Sequence, residues 1–245
     1  MTERVGGASV VEGRAPRERA LLEHRVFFSI ALAFAFLVFT GFGETFFVRE
    51  ASLPPLSPLL VVHAVVGTAW TLVVVAQGAL VFTGNTRAHR ALGVVGVAVA
   101  LAFVALGLAT GFDALARGST GPMEDPRSWL YASLSDTLFF AGLFAAGIAL
   151  RRRREWHARL VTAANASVLF PAIGRLVRTF ALPRELVVLL PLTMLGAIVV
   201  VDLVGRRRVH AATWIGIGAF VTKVALHLTV PRTAGWISLV DAFMS

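Results

Sequence analysis

The chain has 245 residues, 57% hydrophobic and only 15% charged, a balance far from that of an ordinary soluble domain. It contains no cysteine, which excludes disulfides, thiolate metal ligands and thiol chemistry. The formal net charge of +9 does not point to nucleic acid, because the arginines lie in short loops between apolar blocks rather than on one face of a domain.

Residues 1–25 are polar and arginine-rich, with no small-residue cleavage site behind a short apolar core. They read as a cytoplasmic basic tail, helical over 17–25, rather than as a cleaved signal peptide. Seven apolar blocks follow, at 26–47, 58–83, 91–112, 129–150, 157–182, 184–205 and 210–230. Each is long enough for the roughly 30 Å hydrocarbon layer, which needs about 20 helical residues. The expected fold is therefore all-α: a polytopic transmembrane bundle of seven helices over 26–230, with 231–245 a short external C-terminal tail. The fifth and sixth spans nearly touch at Pro183, which predicts a tight hairpin. Pro171 and Pro191 lie inside those two spans; each removes a backbone donor, predicting a kink and a freed carbonyl that a neighbour can use.

Arginine placement sets the expected orientation. The tail and the loops at 85–90, 151–159 and 206–208 carry 15 arginines, against about six on the opposite side. Excess positive charge stays in the cytoplasm, so the N-terminus is expected inside and the C-terminus outside. The expected location is a bacterial inner membrane, with the lipid bilayer as the first partner. Trp129, Tyr131, Trp156 and Trp236 fall at span ends, where amphipathic rings favour the headgroup zone. Trp70 lies inside the second span instead.

Ionisable side chains at membrane depth are costly unless paired or hydrated, which makes each a candidate for function. They are Glu44, Asp136, Arg175 and the chain's single lysine, Lys223, joined by His63 and His227. Counted from the expected span ends, all six fall within about 11 Å of the outer boundary. They predict one polar cluster on the outer side. His63, Trp70 and Gln77 recur at i, i+7 and i+14, one stripe of the second span, while Lys223 and His227 are i, i+4 on the seventh. The competing structural reading pairs Asp136 with Arg175 and Glu44 with Lys223 simply to hold helices in register.

On the inner side, His89, His157 and His210 each begin an outward-running span, accompanied by Arg90 and Arg159. These read as headgroup anchors at the interface, with an inner haem or an anionic-lipid site as the alternatives. Asp202, four residues before Arg206, reads as a local i, i+4 pair.

His63…Trp70…Gln77, His89-Arg90-Ala91-Leu92-Gly93, Trp156-His157-Ala158-Arg159-Leu160 and Asp202 ahead of a basic turn closed by His210 together resemble a family of uncharacterised bacterial multi-pass membrane proteins. The resemblance covers most of residues 24–245 and implies architecture without an activity. Near the end of the first span this chain has Glu44 where the family pattern has an uncharged polar residue.

Three classes of function remain open from the sequence. The first is binding or transport of a small molecule, lipid headgroup or proton at the outer cluster of Glu44, His63, Trp70, Asp136, Arg175, Lys223 and His227. The second is a haem-b redox protein with His63 and His227 as axial ligands. The third is an intramembrane enzyme, either with zinc on His63, Asp136 and His227 and Glu44 as general base, or metal-free and using Glu44 and Asp136 as acid and base. A retinal Schiff base on Lys223 lacks the aromatic pocket residues it would need. Nucleic acid is not an expected partner, and oligomeric state is not encoded in these features.

Overall fold

The computed structural model describes residues 6–53, 55–121, 123 and 125–244, with backbone alone for 6–17. Among the described residues the chain forms helices and no strand. α1 (Gly6–Gly41) is continued by a single π-helical turn, Gly43–Phe47. There follow α2 (Pro58–Phe82), α3 (Thr86–Ala116), α4 (Pro126–Ala149), α5 (Arg154–Ser167), α6 (Phe170–Thr179), α7 (Leu186–Arg206), α8 (Ala211–Thr229) and α9 (Ala234–Met244). Six helices are long and apolar enough to cross a membrane. α5 and α6 meet the same test only as a pair, bent by 44° at the break between them, which brings the count to seven if the pair is one crossing. The protein is a multi-pass membrane protein.

Several helices begin earlier than hydropathy alone suggests, because capping residues rather than the first apolar residue set the start. Asn85 accepts the Ala88 N–H at 3.1 Å and Asp125 accepts that of Ser128 at 3.0 Å, so α3 and α4 start upstream of 91 and 129. Ser57 caps α2 in the same way, with Pro58 in the first turn, where its missing N–H costs nothing.

The two internal prolines act differently. Pro191 lies within α7, which continues through it. Pro171 coincides with the break between α5 and α6, so the fifth expected span is two helices rather than one kinked helix. The turn at Pro183 is also looser than expected, since residues 180–185 separate α6 from α7. Of the basic tail, the part from Gly6 onward belongs to α1, while residues 1–5 lie outside the described residues.

The C-terminal segment is also more ordered than a tail. α9 folds back so that Val240 packs with Leu115 and Leu130. Arg127 bridges to Asp241 at 2.6 Å, and its carbonyl accepts from Trp236 Nε1 at 3.1 Å.

α2 packs between α1 and α3, α4 between α3 and α5, and α8 against α5, while α6 lies against α1. The α1–α6 crossing depends on Gly41, where a Cβ would lie 2.3 Å from the Ala172 carbonyl oxygen. Backbone cannot move aside as a side chain can. Gly41→Ala is therefore expected to lower unfolding free energy by about 1–3 kcal/mol or more. Gly43→Ala, where no atom lies within 4 Å of the added carbon, should stay within about 0.5 kcal/mol of wild type. Denaturant unfolding in mixed micelles measures both.

Candidate functional site

The break after α5 creates the centre of the site. Pro171 has no N–H, so the Ser167 carbonyl four residues earlier loses its helical partner. Lys223 of α8 supplies the replacement: its Nζ donates to the Ser167 carbonyl. The same ammonium lies 2.6 Å from Asp136 Oδ1 and 3.6 Å from the centre of the Phe170 ring. Lys223 is fully enclosed, and an enclosed ammonium needs this combination of carboxylate, carbonyl and aromatic face.

His227, one turn beyond Lys223, lies beside the pair. Its Nε2 is 2.6 Å from Ser135 Oγ and 3.6 Å from Asp136 Oδ1. Tyr131 and Phe170 flank its ring at 5.7 and 5.4 Å between centres. Ser135 Oγ also lies 3.3 Å from the Ala132 carbonyl. This is not a nucleophilic triad, in which hydroxyl and carboxylate take opposite ring nitrogens. Here both approach Nε2, while Nδ1 is enclosed without a partner.

Asp136 also lines a cavity of about 490 Å³ between α4, α6 and the start of α7. Trp129, Phe170, Pro171 and Val177 form apolar walls, and Arg178 and Arg184 supply positive charge. Met123 from the α3–α4 loop and Leu182 from the α6–α7 loop border it, so it lies towards the end of the bundle expected to face outside. Gly121, with φ of +55°, brings backbone close beneath Trp129: a Cβ there would lie 2.6 Å from the indole. That close approach seats the indole in the cavity wall.

The six ionisable groups assigned to one outer layer do not form one cluster. Asp136 pairs with Lys223 and not with Arg175. Arg175 donates to the Pro171 carbonyl at 2.9 Å and lies 4.6 Å over the Phe42 ring. Glu44 accepts from Thr179 Oγ1 at 3.1 Å rather than pairing with Lys223. Depth differs as well: Asp136 is ten residues along α4, about 15 Å from its start, near the helix midpoint. Trp70 is buried against Phe140 and Phe144, one and two turns further along α4 than Asp136, and donates from Nε1 to Asn165 Oδ1 at 3.0 Å. His63 lies nearer the helix start, stacked 5.5 Å from Phe103 with Nδ1 enclosed and unpartnered.

These separations bear on the cofactor readings. His63 stacks on Phe103 of α3 and lies near the Arg175 charge, whereas His227 is bonded to Ser135 and flanked by Tyr131 and Phe170, so the two rings have different surroundings. Among the described residues no three His, Asp or Glu side chains converge as a metal shell, so His63, Asp136 and His227 do not form the expected zinc set. Glu44, tied to Thr179, has no place in it as a general base.

At the arginine-rich end the structure departs from a simple anchoring surface. Arg159 is 1% exposed and bound to Asp202, itself fully buried, through two guanidinium nitrogens, one of them Nε at 3.0 Å. Asp202 Oδ2 accepts from the His210 backbone at 2.9 Å and from Thr213 Oγ1 at 2.6 Å. Arg206, the expected local partner of Asp202, keeps that i, i+4 ion pair at 3.9 Å, and binds more closely to Glu155 at 2.5 Å and Glu23 at 3.0 Å.

His210 is a helix cap, its Nδ1 accepting the Ala212 N–H at 3.0 Å. Burial, then nearby Arg159, hold its imidazole below the ordinary value against Glu155 and Asp202, in keeping with the neutral ring that an accepting Nδ1 requires. Arg90 is exposed and bonds back to the Thr86 carbonyl at 3.3 Å, as an interfacial arginine would.

Sequence reading missed Asn165, Ser167, Ser135, Thr213 and Glu23. Asn165 and Ser167 were visible as polar residues just before Pro171, and Glu23 as an acid among the arginines leading into the first span.

Comparison with protein families, with characterised proteins and with solved structures finds no match to this chain.

Proposed function

We propose that the protein binds a small molecule in the cavity above Asp136 and Lys223, entering from the outer side, and moves it by rearranging the broken α5–α6 span. The carrying observation is that one lysine joins the freed carbonyl of the helix break to the carboxylate lining the cavity. Discontinuous helices whose unwound backbone meets the ligand site are the common means by which transporters couple occupancy to movement. A ligand group that engages Asp136 competes directly with Lys223. Releasing Lys223 releases the Ser167 carbonyl, and the break loses its latch.

The cavity lining also defines the ligand's chemistry. Arg178 and Arg184 favour an anionic group, Trp129, Phe170 and Val177 an apolar body, and Asp136 a hydrogen-bond donor such as an ammonium or hydroxyl. Aminocaproate carries all three features and serves as a probe. Calorimetric titration into detergent-purified protein is expected to show saturable binding. Arg178→Gln should weaken it at least about tenfold, the worth of one charge-assisted hydrogen bond. Caproate, which lacks the ammonium, should bind more weakly than aminocaproate. Equal affinity in wild type and Arg178→Gln would remove the basis for this reading.

A further inference from the structure

We infer that the cavity exchanges its ligand for a proton: a ligand ammonium arriving at Asp136 makes Lys223 give up its own proton, which leaves the protein. The inference rests on the cavity reading above and adds a counter-ion to it.

The enclosed centre holds one carboxylate and one ammonium, 2.6 Å apart. Lys223 is 0% exposed, and few groups surround its Nζ. α4 supplies Asp136, α5 the Ser167 carbonyl, and α6 the Phe170 ring at 3.6 Å. On α8 itself, Phe220 lies 5.9 Å away, and His227 Nε2 approaches the same Asp136 Oδ1 at 3.6 Å. Among the described residues no second acid pairs with Lys223 or His227. One carboxylate compensates one cation, so the His227 ring stays neutral beside a charged Lys223.

A cationic ligand upsets that match. An ammonium drawn from the cavity to Asp136 puts two cations on one enclosed carboxylate, whichever oxygen it takes. The two are not equivalent. The ligand's ammonium sits in a cavity of about 490 Å³, whose lining includes Asp136 but not Lys223. An enclosed ammonium without its own carboxylate is too costly to persist, and such a group neutralises instead. Lys223 passes from ammonium to amine and one proton is released; no electrons move. The charge-assisted bond to the Ser167 carbonyl weakens at the same time, so the helix break loosens only when ligand is bound. Ligand release requires Lys223 to regain a proton. With ligand taken from the outer side and delivered to the inner side, one proton is freed outside and one is taken up inside, which is antiport.

Calorimetric titration of aminocaproate into detergent-purified wild type, in phosphate and in Tris at equal pH, reads the proton count from the difference in heat. One proton released per ligand bound is expected. Affinity should rise about tenfold per pH unit between about pH 6 and 8, because removing the released proton drives binding. Caproate, which lacks the ammonium, should show neither effect. Lys223→Arg, whose guanidinium keeps its proton, should release none and bind aminocaproate about tenfold more weakly. The wild-type measurements decide the matter even where that variant does not fold. Saturable binding with equal heats in both buffers and an affinity flat in pH would overturn this inference and leave the cavity reading standing. No saturable binding at all would overturn both.

Discussion

Lys223→Met is expected to destabilise the protein by about 3–5 kcal/mol, the cost of leaving a buried partner charge uncompensated. The variant removes the ammonium that lies 2.6 Å from Asp136 Oδ1, and with it the donor to the Ser167 carbonyl. Methionine fills similar volume, so the loss reports charge and hydrogen bonding rather than a cavity. Asp136→Asn should be damaging for the converse reason, because it leaves a fully enclosed ammonium without its carboxylate. The double variant Asp136→Asn/Lys223→Met should recover most of the loss, since a buried pair contributes little net stability beyond its apolar replacement. Equilibrium unfolding in mixed micelles gives the three values. A Lys223→Met protein within about 1 kcal/mol of wild type would mean that the pair is hydrated in the membrane and not enclosed. The double variant also separates stability from function: it should fold and fail to bind aminocaproate.

Asp202→Ala is the second large effect, again about 3–5 kcal/mol. Asp202 accepts from two nitrogens of Arg159, from the His210 backbone and from Thr213, so one carboxylate ties α5, α7 and the start of α8 together. Without it, Arg159 keeps only the Glu155 carbonyl at 3.1 Å and Glu23 at 3.3 Å. Arg206→Ala makes the control, since Arg206 is 27% exposed and its pairs are open to water. It should cost at most about 1 kcal/mol. Equal losses for the two variants would contradict the assignment of Asp202 as the junction and of Arg206 as peripheral.

The difference between those two residues shows where sequence reading stops. Asp202 and Arg206 are four apart, and local spacing is the only geometry a sequence displays, so the i, i+4 pair was the natural reading. The structure keeps that pair at 3.9 Å but gives Asp202 its closer bonds from Arg159, 43 residues away, because α5 and α7 pack together. The same limit hid the partners of Asp136 and Glu44, which are Lys223 and Thr179: comparable depth does not say which helices are neighbours.

What was legible followed from strong local physics. Apolar length marked the spans, since every backbone polar group in the bilayer must bond within a helix. Pro171 announced a freed carbonyl, and the structure shows Lys223 taking it. The stripe of His63, Trp70 and Gln77 is real as a helical face. Fourteen residues cover about 21 Å of helix, however, so its members enter three separate environments rather than one site. The cavity was not legible, because its walls come from α4, α6, α7 and two loops that only tertiary packing brings together.

The central claim is that the cavity opens outward, attracts anions and reaches Asp136. Because the chain has no cysteine, a single Ala132→Cys variant reports on the cavity wall one turn from Asp136 without background. In sealed right-side-out vesicles the thiol should react with a membrane-impermeant, anionic sulfonatoethyl methanethiosulfonate faster than with its cationic trimethylammonium counterpart, and aminocaproate should slow both. Reaction only in inside-out vesicles, or a faster cationic reagent, would contradict the account.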